Sequence, residues 1–440
     1  MKSFLFKSCL TFLIFILVSL RIAYSEESAQ TTDPYAPVAV YQSEESLFKK
    51  VTNNFLAYPF EIIRWPVDQS LTYTERYHLE RKGLYLFERM VDKGFTPYVD
   101  PSQLGGGFNL DYIRLFNQRS EFAVPIAKSW FELHPDVNFK VGTQLGAERI
   151  ANTGFRGTGN FQYESRPQEH FYGIGPNTSA GDGTSYKIES TVLGTRVGYS
   201  VNPQLACDFN FSYQNINITN GKAKGRGGID STFPAGSIPG LDGDELLNWD
   251  LEFLRDTRNR VDNSTKGELG KISMGYYEGL YHSNARYFKT KVELQHFFRL
   301  GSDRRVLMLR LYGENNNELP GHGVPFHQMA RLGGFGGRVH STSETLRGYD
   351  YNRFFDRNSA LGNLEYRFTV WEHGDFKLAT VFFFDEGSVF KKLSKFRLSD
   401  FRESYGVGQR FSLADTVYFS VEVAHGNEGT KFYVESTTPF

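Results

Sequence analysis

The chain has 440 residues and a formal net charge of -1, so it encodes no basic field that would call for nucleic acid or an anionic membrane surface. Its 43 glycines, 25 tyrosines and 40 phenylalanines, with aromatics at 16%, lie above ordinary globular usage. Low mean hydropathy excludes a bundle of membrane helices. It does not exclude a membrane β-barrel, in which only alternate residues meet lipid.

Residues 1–25 read as a secretory signal peptide. Lys2 and Lys7 give a positive start, Cys9 to Leu20 an apolar core, and Ala23-Tyr24-Ser25 a small-x-small cleavage pattern. The alternative is an uncleaved anchor helix, which Arg21 favours. No lipobox precedes Cys9, and Cys207 is alone in the mature chain, so no intrachain disulfide framework holds this exported protein. A closed sheet is the expected source of stability. Residues 26–94 read as a periplasmic linker and helical lead. "TTDPYAPVAVYQSEES" is polar and proline-bearing, and "ESLFKKVTNNFLAYPFEIIRW" and "TERYHLERKGLYLFERMVDKG" have helical apolar spacing. Gly94 is the expected C-cap of the second helix. The lead is expected to pack against the rest of the chain or to plug it.

Residues 95–440 switch, from about Gly105, to a period of two. In "KVELQHFFRL" Val292, Leu294, Phe298 and Leu300 share a face interrupted by His296, with Lys291, Glu293, Gln295 and Arg299 opposite. In "RVLMLRLYGE" Leu307, Leu309 and Leu311 oppose Arg310 and Glu314; in "TVYFSVEVAHG" Val417, Phe419, Val421 and Val423 oppose Tyr418, Ser420 and Glu422. About fifteen such segments occur, many long enough to cross a bilayer when tilted. A soluble β-sandwich would alternate similarly. Segment length, charges at strand centres and aromatics near strand ends (Trp130, Phe131, Tyr276, Tyr277, Trp371) favour an integral barrel of the bacterial outer membrane. Gly429, Phe432, Val434 and the terminal Phe440 have the spacing of a C-terminal assembly signal for such barrels.

One connection breaks the pattern of short turns. "RLGGFGGRVHSTSE" runs into "TLRGYDYNRFFDRNS", far longer than an ordinary hairpin loop. By parity, Leu364, Tyr366, Phe368 and Val370 face lipid, so Glu365 points inward with Asn363 and Arg367. Leu378, Thr380, Phe382 and Phe384 likewise face out, and Asp385 faces in. If the loop folds back into the barrel, Arg347 meets both acids, and its planar guanidinium can bond both at once. Gly348 is expected to allow a sharp backbone turn, and Tyr349 to pack on the wall. The competing reading makes Leu346-Arg347-Gly348-Tyr349 a surface turn and pairs both acids with other inward arginines.

The last two thirds of the chain resembles the outer-membrane superfamily typified by BamA and TamA, the bacterial surface antigen barrels. The resemblance rests on three linked motifs: Leu346-Arg347-Gly348-Tyr349, "LEYRF" (Leu364 to Phe368) and "FFFDEGSVF" (Phe382 to Phe390), supported by "FYGIGPNTS" (Phe171 to Ser179). It implies an all-β transmembrane antiparallel barrel of about 16 strands, an inward-folded loop whose Arg347 is held by Glu365 and Asp385, and a weakly paired seam between first and last strands. It also implies a role in insertion or translocation of proteins, with unfolded outer-membrane proteins as clients, outer-membrane lipid around it and periplasmic or lipoprotein partners. Members of the family that handle clients carry POTRA modules, whereas residues 26–94 read as helices. The alternative is therefore a passive channel or lipid-handling barrel without protein clients.

No enzyme signature is found. GxSxG, HExxH and CxxC spacings are absent; His322 and His327 read as turn residues, and "GGFGG" lacks the end of a phosphate-binding loop. No catalytic activity, metal, nucleotide or nucleic-acid partner is expected.

Overall fold

A computed structural model describes residues 89–100, 105–115, 123–134, 138–151, 153–234, 236–261, 263–335, 344–374, 376–413, 416–435 and 438–440. The expected signal peptide, nearly all of the expected helical lead and the loop stretch 336–343 lie outside the described residues. Residues 89–92 are helical. Gly94, at φ 83°, donates its N–H to the Val91 carbonyl at 2.9 Å, the left-handed stop that glycine favours.

Alternation of side chains through the rest of the chain produces one antiparallel sheet of sixteen strands, each paired with its neighbour in sequence. The first eight are β1 (Phe95–Asp100), β2 (Gly105–Asp111), β3 (Ala123–Leu133), β4 (Phe139–Ile150), β5 (Phe155–Phe171), β6 (Thr184–Asn202), β7 (Leu205–Asn220) and β8 (Asp244–Asp256). Then come β9 (Gly267–Gly279), β10 (Arg286–Arg299) and β11 (Arg305–Glu318). Two short strands, β12 (Ala330–Leu332) and β13 (Phe354–Asp356), pair with each other inside the next connection. The sheet resumes with β14 (Asn358–His373), β15 (Phe376–Phe390), β16 (Arg402–Leu413), β17 (Thr416–Gly426) and β18 (Gly429–Glu435). The all-β class and the sixteen strands agree with the sequence reading. Among the described residues no ladder joins β1 to β18.

Connections alternate in length. One side carries 172–183, 221–243, 319–357 and 391–401; the opposite side has turns such as 203–204, 300–304 and 374–375. This asymmetry is that of outer-membrane barrels, whose longer loops face outward from the cell.

The two faces are chemically distinct. On the outer face the register lines up Leu307, Tyr366, Phe382, Val407, Val423 and Phe432 across six adjacent strands. Phe382 and Phe432 are 53% and 65% exposed, so this apolar band has no protein cover. Trp249 stacks on Tyr276 at 5.8 Å, and Tyr276 lies 5.2 Å from Phe288 along the same face. The inner face carries the buried charges Arg310, Glu314, Glu365, Arg367, Asp385, Arg410 and Glu422. Burial of such groups requires partners; neighbouring strands supply most of them, and the long connection adds Arg347 and Glu344.

Four placements depart from the sequence reading, the first two through β-bulges. A β-bulge between Phe411/Ser412 and the facing strand pairs Phe419 with Phe411 but Val417 with Ser412. The extra residue reverses the side-chain direction, so Val417 is buried on the inner side instead of joining Phe419 outside. A second bulge after Thr369 sets Trp371 outward despite its odd number. Tyr277 is not a boundary aromatic: it faces inward, stacks on Tyr287 at 5.0 Å and donates its hydroxyl to Asp250. Trp130, opposite Gly142 in the register, also lies on the inner face, where a Cβ on Gly142 would meet its ring.

Candidate functional site

The connection between β11 and β14 folds inward. It contributes Val324, Phe326, Met329 and Phe355 to an apolar cluster with Phe171, Tyr186, Leu246 and Tyr287 from the walls. Leu332, Leu346, Tyr349 and Phe354 form another with Tyr312, Leu361 and Val389. These contacts seat the loop through apolar burial before any charge is considered. Locally, Leu346 and Gly334 exchange backbone hydrogen bonds at 3.1 and 3.2 Å, and the Tyr349 N–H donates to the Leu346 carbonyl. That turn presents Arg347 to the wall.

Arg347 is fully buried. Its Nε and Nη2 donate to the two oxygens of Asp385 at 2.8 and 2.6 Å, and its backbone N–H adds a third bond to Oδ2 at 3.2 Å. Nη1 donates to Glu365 Oε1 at 2.7 Å. The guanidinium lies 3.5 Å from the ring centroid of Phe383, so a cation–π face completes its enclosure. The loop thus meets both acids that parity turned inward, and the surface-turn alternative does not hold.

Two partners escaped the sequence reading. Nη1 of Arg347 also donates to Glu422 Oε2 on β17 at 3.0 Å. Arg410 on β16 then bridges the acids, donating to Glu365 at 2.9 and 2.8 Å and to Glu422 Oε1 at 3.0 and 2.6 Å. Arg367 adds a bond to Glu365 Oε2 at 3.2 Å. Three arginines and three carboxylates therefore form one neutral, buried network spanning β14, β15, β16 and β17. Glu422 had been placed inward by alternation; what sequence could not supply was that β17 lies under the loop.

Gly348 has a role other than the one expected. Its φ is not in the left-handed region. Instead, a Cβ there would stand 2.6 Å from Ser404 Cβ and 2.8 Å from the Gly426 backbone, so close approach, not a sharp turn, demands glycine. Tyr349 packs as expected, 5.2 Å from the Phe354 ring, with its hydroxyl donating to the Glu403 carbonyl at 3.3 Å.

The terminal signal residues separate in space. Gly429 opens β18 at φ 112°, Phe432 is exposed on the outer face, and Val434 follows on the same strand. Phe440 lies inside, 5.5 Å from the Arg310 guanidinium and 5.8 Å from that of Arg347, against Phe297, Val306 and Met308. Pro439 accepts a bond from Thr345 Oγ1 at 3.3 Å.

Further bonds hold the loop toward the long-loop side. Arg353 donates to Glu428 and to Thr178. Asp350 accepts from Lys431 Nζ at 2.5 Å and from the Tyr172 hydroxyl at 3.0 Å. Burial alone would raise the Asp350 pKa, but Lys431, Tyr172 and Arg226 together hold it below the usual carboxylate value. A lowered folded pKa means that its stabilisation is complete above the ordinary carboxylate range and is lost as pH falls through the lowered value. Single-channel conductance is expected to rise below about pH 4 as the loop loosens. Asp350→Asn should show part of that rise already at neutral pH; an identical pH profile in both proteins would remove Asp350 from this role.

His322 bonds Asn284 through Nδ1 at 3.0 Å, and His327 bonds Asp244 through Nε2 at 2.7 Å. Both lie in the long connection and bond residues of other segments. No group of three or more metal-ligating side chains occurs among the described residues.

A family model for the Omp85 superfamily domain matches residues 120–425. BamA from Haemophilus ducreyi lacking POTRA domains 1-3 is similar in structure with a TM-score of 0.54 and 14% identity, over 78% of this chain and 69% of that one. CdiB from Acinetobacter baumannii aligns at a TM-score of 0.43 and 12% identity, over 75% and 55%. No curated protein matches the chain in a sequence search. With the family match covering more than half of the chain, and with the sixteen-stranded sheet beneath it, the chain belongs to the Omp85 superfamily and is an Omp85-type outer-membrane β-barrel.

Proposed function

We propose that this barrel assists insertion or translocation of proteins at the outer membrane through a lateral seam. The observation that supports the reading is the loop pinned by Arg347 to β14, β15 and β17, beside a last strand of only seven residues. A short terminal strand whose outer edge is unpaired among the described residues offers backbone N–H and C=O groups to an incoming strand. The buried network holds the opposite flank of that edge rigid, and the seated loop occludes the interior. Clients are unfolded outer-membrane proteins, with periplasmic or lipoprotein partners, and the reading includes no catalytic step and no cofactor.

A second reading, a passive channel or lipid-handling barrel, draws support from the polar inner face of β7 and β8. There Ser212 and Gln214 donate to Asn248, at 2.5 and 2.9 Å, away from the arginine network. Reconstitution into liposomes with an unfolded test barrel separates the two. Faster folding of the test barrel than in empty liposomes, lost in Arg347→Ala, is expected. Ion conductance without any acceleration would reject the insertion reading in favour of the channel.

A further inference from the structure

The connection 391–401, KKLSKFRLSDF, behaves unlike the other loops. It carries Lys391, Lys392, Lys395 and Arg397, all exposed, against the single acid Asp400. It also carries apolar side chains, with Leu393 and Leu398 69% and 71% exposed. Two 3-10 turns, Leu393–Lys395 and Leu398–Asp400, give it a defined course. Phe396 packs between Phe390 and Phe401 at 5.4 and 5.6 Å.

That course runs over the outside of the sheet. Ser388 and Phe390 stand in the same alternation as the outward Phe382 and Phe384, and yet both are buried. Phe396 of this loop packs on Phe390. Beside it the outer face is depressed, because small residues adjoin in the register: Gly313 opposite Ala360, and Gly362 opposite Leu311. The result is a groove of about 500 Å³ with Val292, Leu294 and Leu311 on one side and Phe396, Leu398 and Phe401 on the other. Glu386 stands lower in the groove.

We infer that this groove binds a phosphorylated, acylated glycolipid of the outer leaflet. An acyl chain fits the apolar trough over Gly313 and Gly362, and its removal from bulk lipid into a walled slot gains dispersion contacts on three sides. The phosphates meet Lys392, Lys395 and Arg397, which carry no ion pair among the described residues. Long basic side chains at this height extend to the interface, and attraction between such clusters and anionic headgroups is a general source of lipid preference. Glu386 repels a phosphate from the depth of the trough, which fixes the lipid with its headgroup at the loop. The groove lies against the loop 391–401, on the long-loop side, which in such barrels is the outer leaflet. Several phosphates on one headgroup match several cations spread along the loop better than one phosphodiester does. This inference needs only the membrane placement, not the insertion role.

Native mass spectrometry of the full chain in detergent tests it, with bis-phosphorylated lipid A, phosphatidylglycerol and phosphatidylethanolamine as probes. Lipid A is expected to bind at least about tenfold more tightly than either phospholipid. The triple change Lys392→Gln, Lys395→Gln, Arg397→Gln, confined to an exposed loop, should abolish that preference. Gly362→Leu should lower lipid A binding by a similar factor; a Cβ at Gly362 meets nothing nearer than 3.8 Å, so the sheet accepts the side chain while the trough fills. Equal binding of lipid A and phosphatidylglycerol would overturn the glycolipid assignment. Unchanged binding in either variant would overturn the site.

Discussion

Arg347→Ala is expected to release the long loop, raising ion conductance and lowering the temperature at which the folded form is lost in detergent gels. The substitution removes the bidentate partner of Asp385 and one donor each from Glu365 and Glu422. Arg410 and Arg367 still reach Glu365, and Arg410 still reaches Glu422. Asp385 fares worse. It keeps the backbone N–H of residue 347 at 3.2 Å, Asn363 Nδ2 at 2.9 Å and Ser404 Oγ at 3.4 Å, but no cation. Breaking a buried ion pair by deleting one side costs about 3–5 kcal/mol, because the remaining charge stays desolvated. Arg347→Lys should fall between wild type and alanine, since one ammonium cannot reproduce the fork that meets Asp385 with two bonds. Asp385→Asn in the Arg347→Ala background should recover part of the loss by removing the stranded charge. Conductance and gel behaviour equal to wild type in Arg347→Ala would show that the arginine does not hold the loop.

Gly348→Ala should give a comparable loss without touching any charge. Its methyl would enter space already filled by Ser404 Cβ and by the backbone of Gly426, on two strands fixed in the sheet. The sheet cannot yield easily, so the loop must lift, and Arg347 then leaves Asp385. Overpacking of this kind costs about 1–3 kcal/mol in ordinary cores. The loss of the ion pairs that follow adds to it here. Ser404→Gly should not rescue the variant, because the Gly426 backbone remains in the way. Full rescue by Ser404→Gly would locate the constraint in one side chain and reject the backbone-contact explanation. Together the two variants separate the steric seat of the loop from its electrostatic latch.

Much of this site can be read from alternation. Glu365 and Asp385 are inward because Leu364, Tyr366, Phe382 and Phe384 are outward, and a period of two leaves no other choice on an unbulged strand. Val417 shows the limit of that reasoning. One extra residue opposite the Phe411–Ser412 step reverses the face, and no turn residue or proline in "TVYFSVEV" announces it. The length of the 319–357 connection alone marks it as more than a hairpin turn.

Residue order alone is enough for the class of the fold, the direction of most side chains and the candidate pairing of Arg347 with two acids. These follow from local rules: alternation, turn chemistry and the spacing of three linked motifs. Three-dimensional packing is needed to see that Glu422 and Arg410 complete the network, that Gly348 is required by the approach of Gly426, and that Phe440 lies inside beside Arg347. It also decided that the loop 391–401 folds outward over the sheet. Each of these depends on which distant strands curve beneath a loop, a relation between segments many residues apart. Local periodicity contains no term for it, because the energy that selects it comes from burial and charge pairing made only when the sheet has formed.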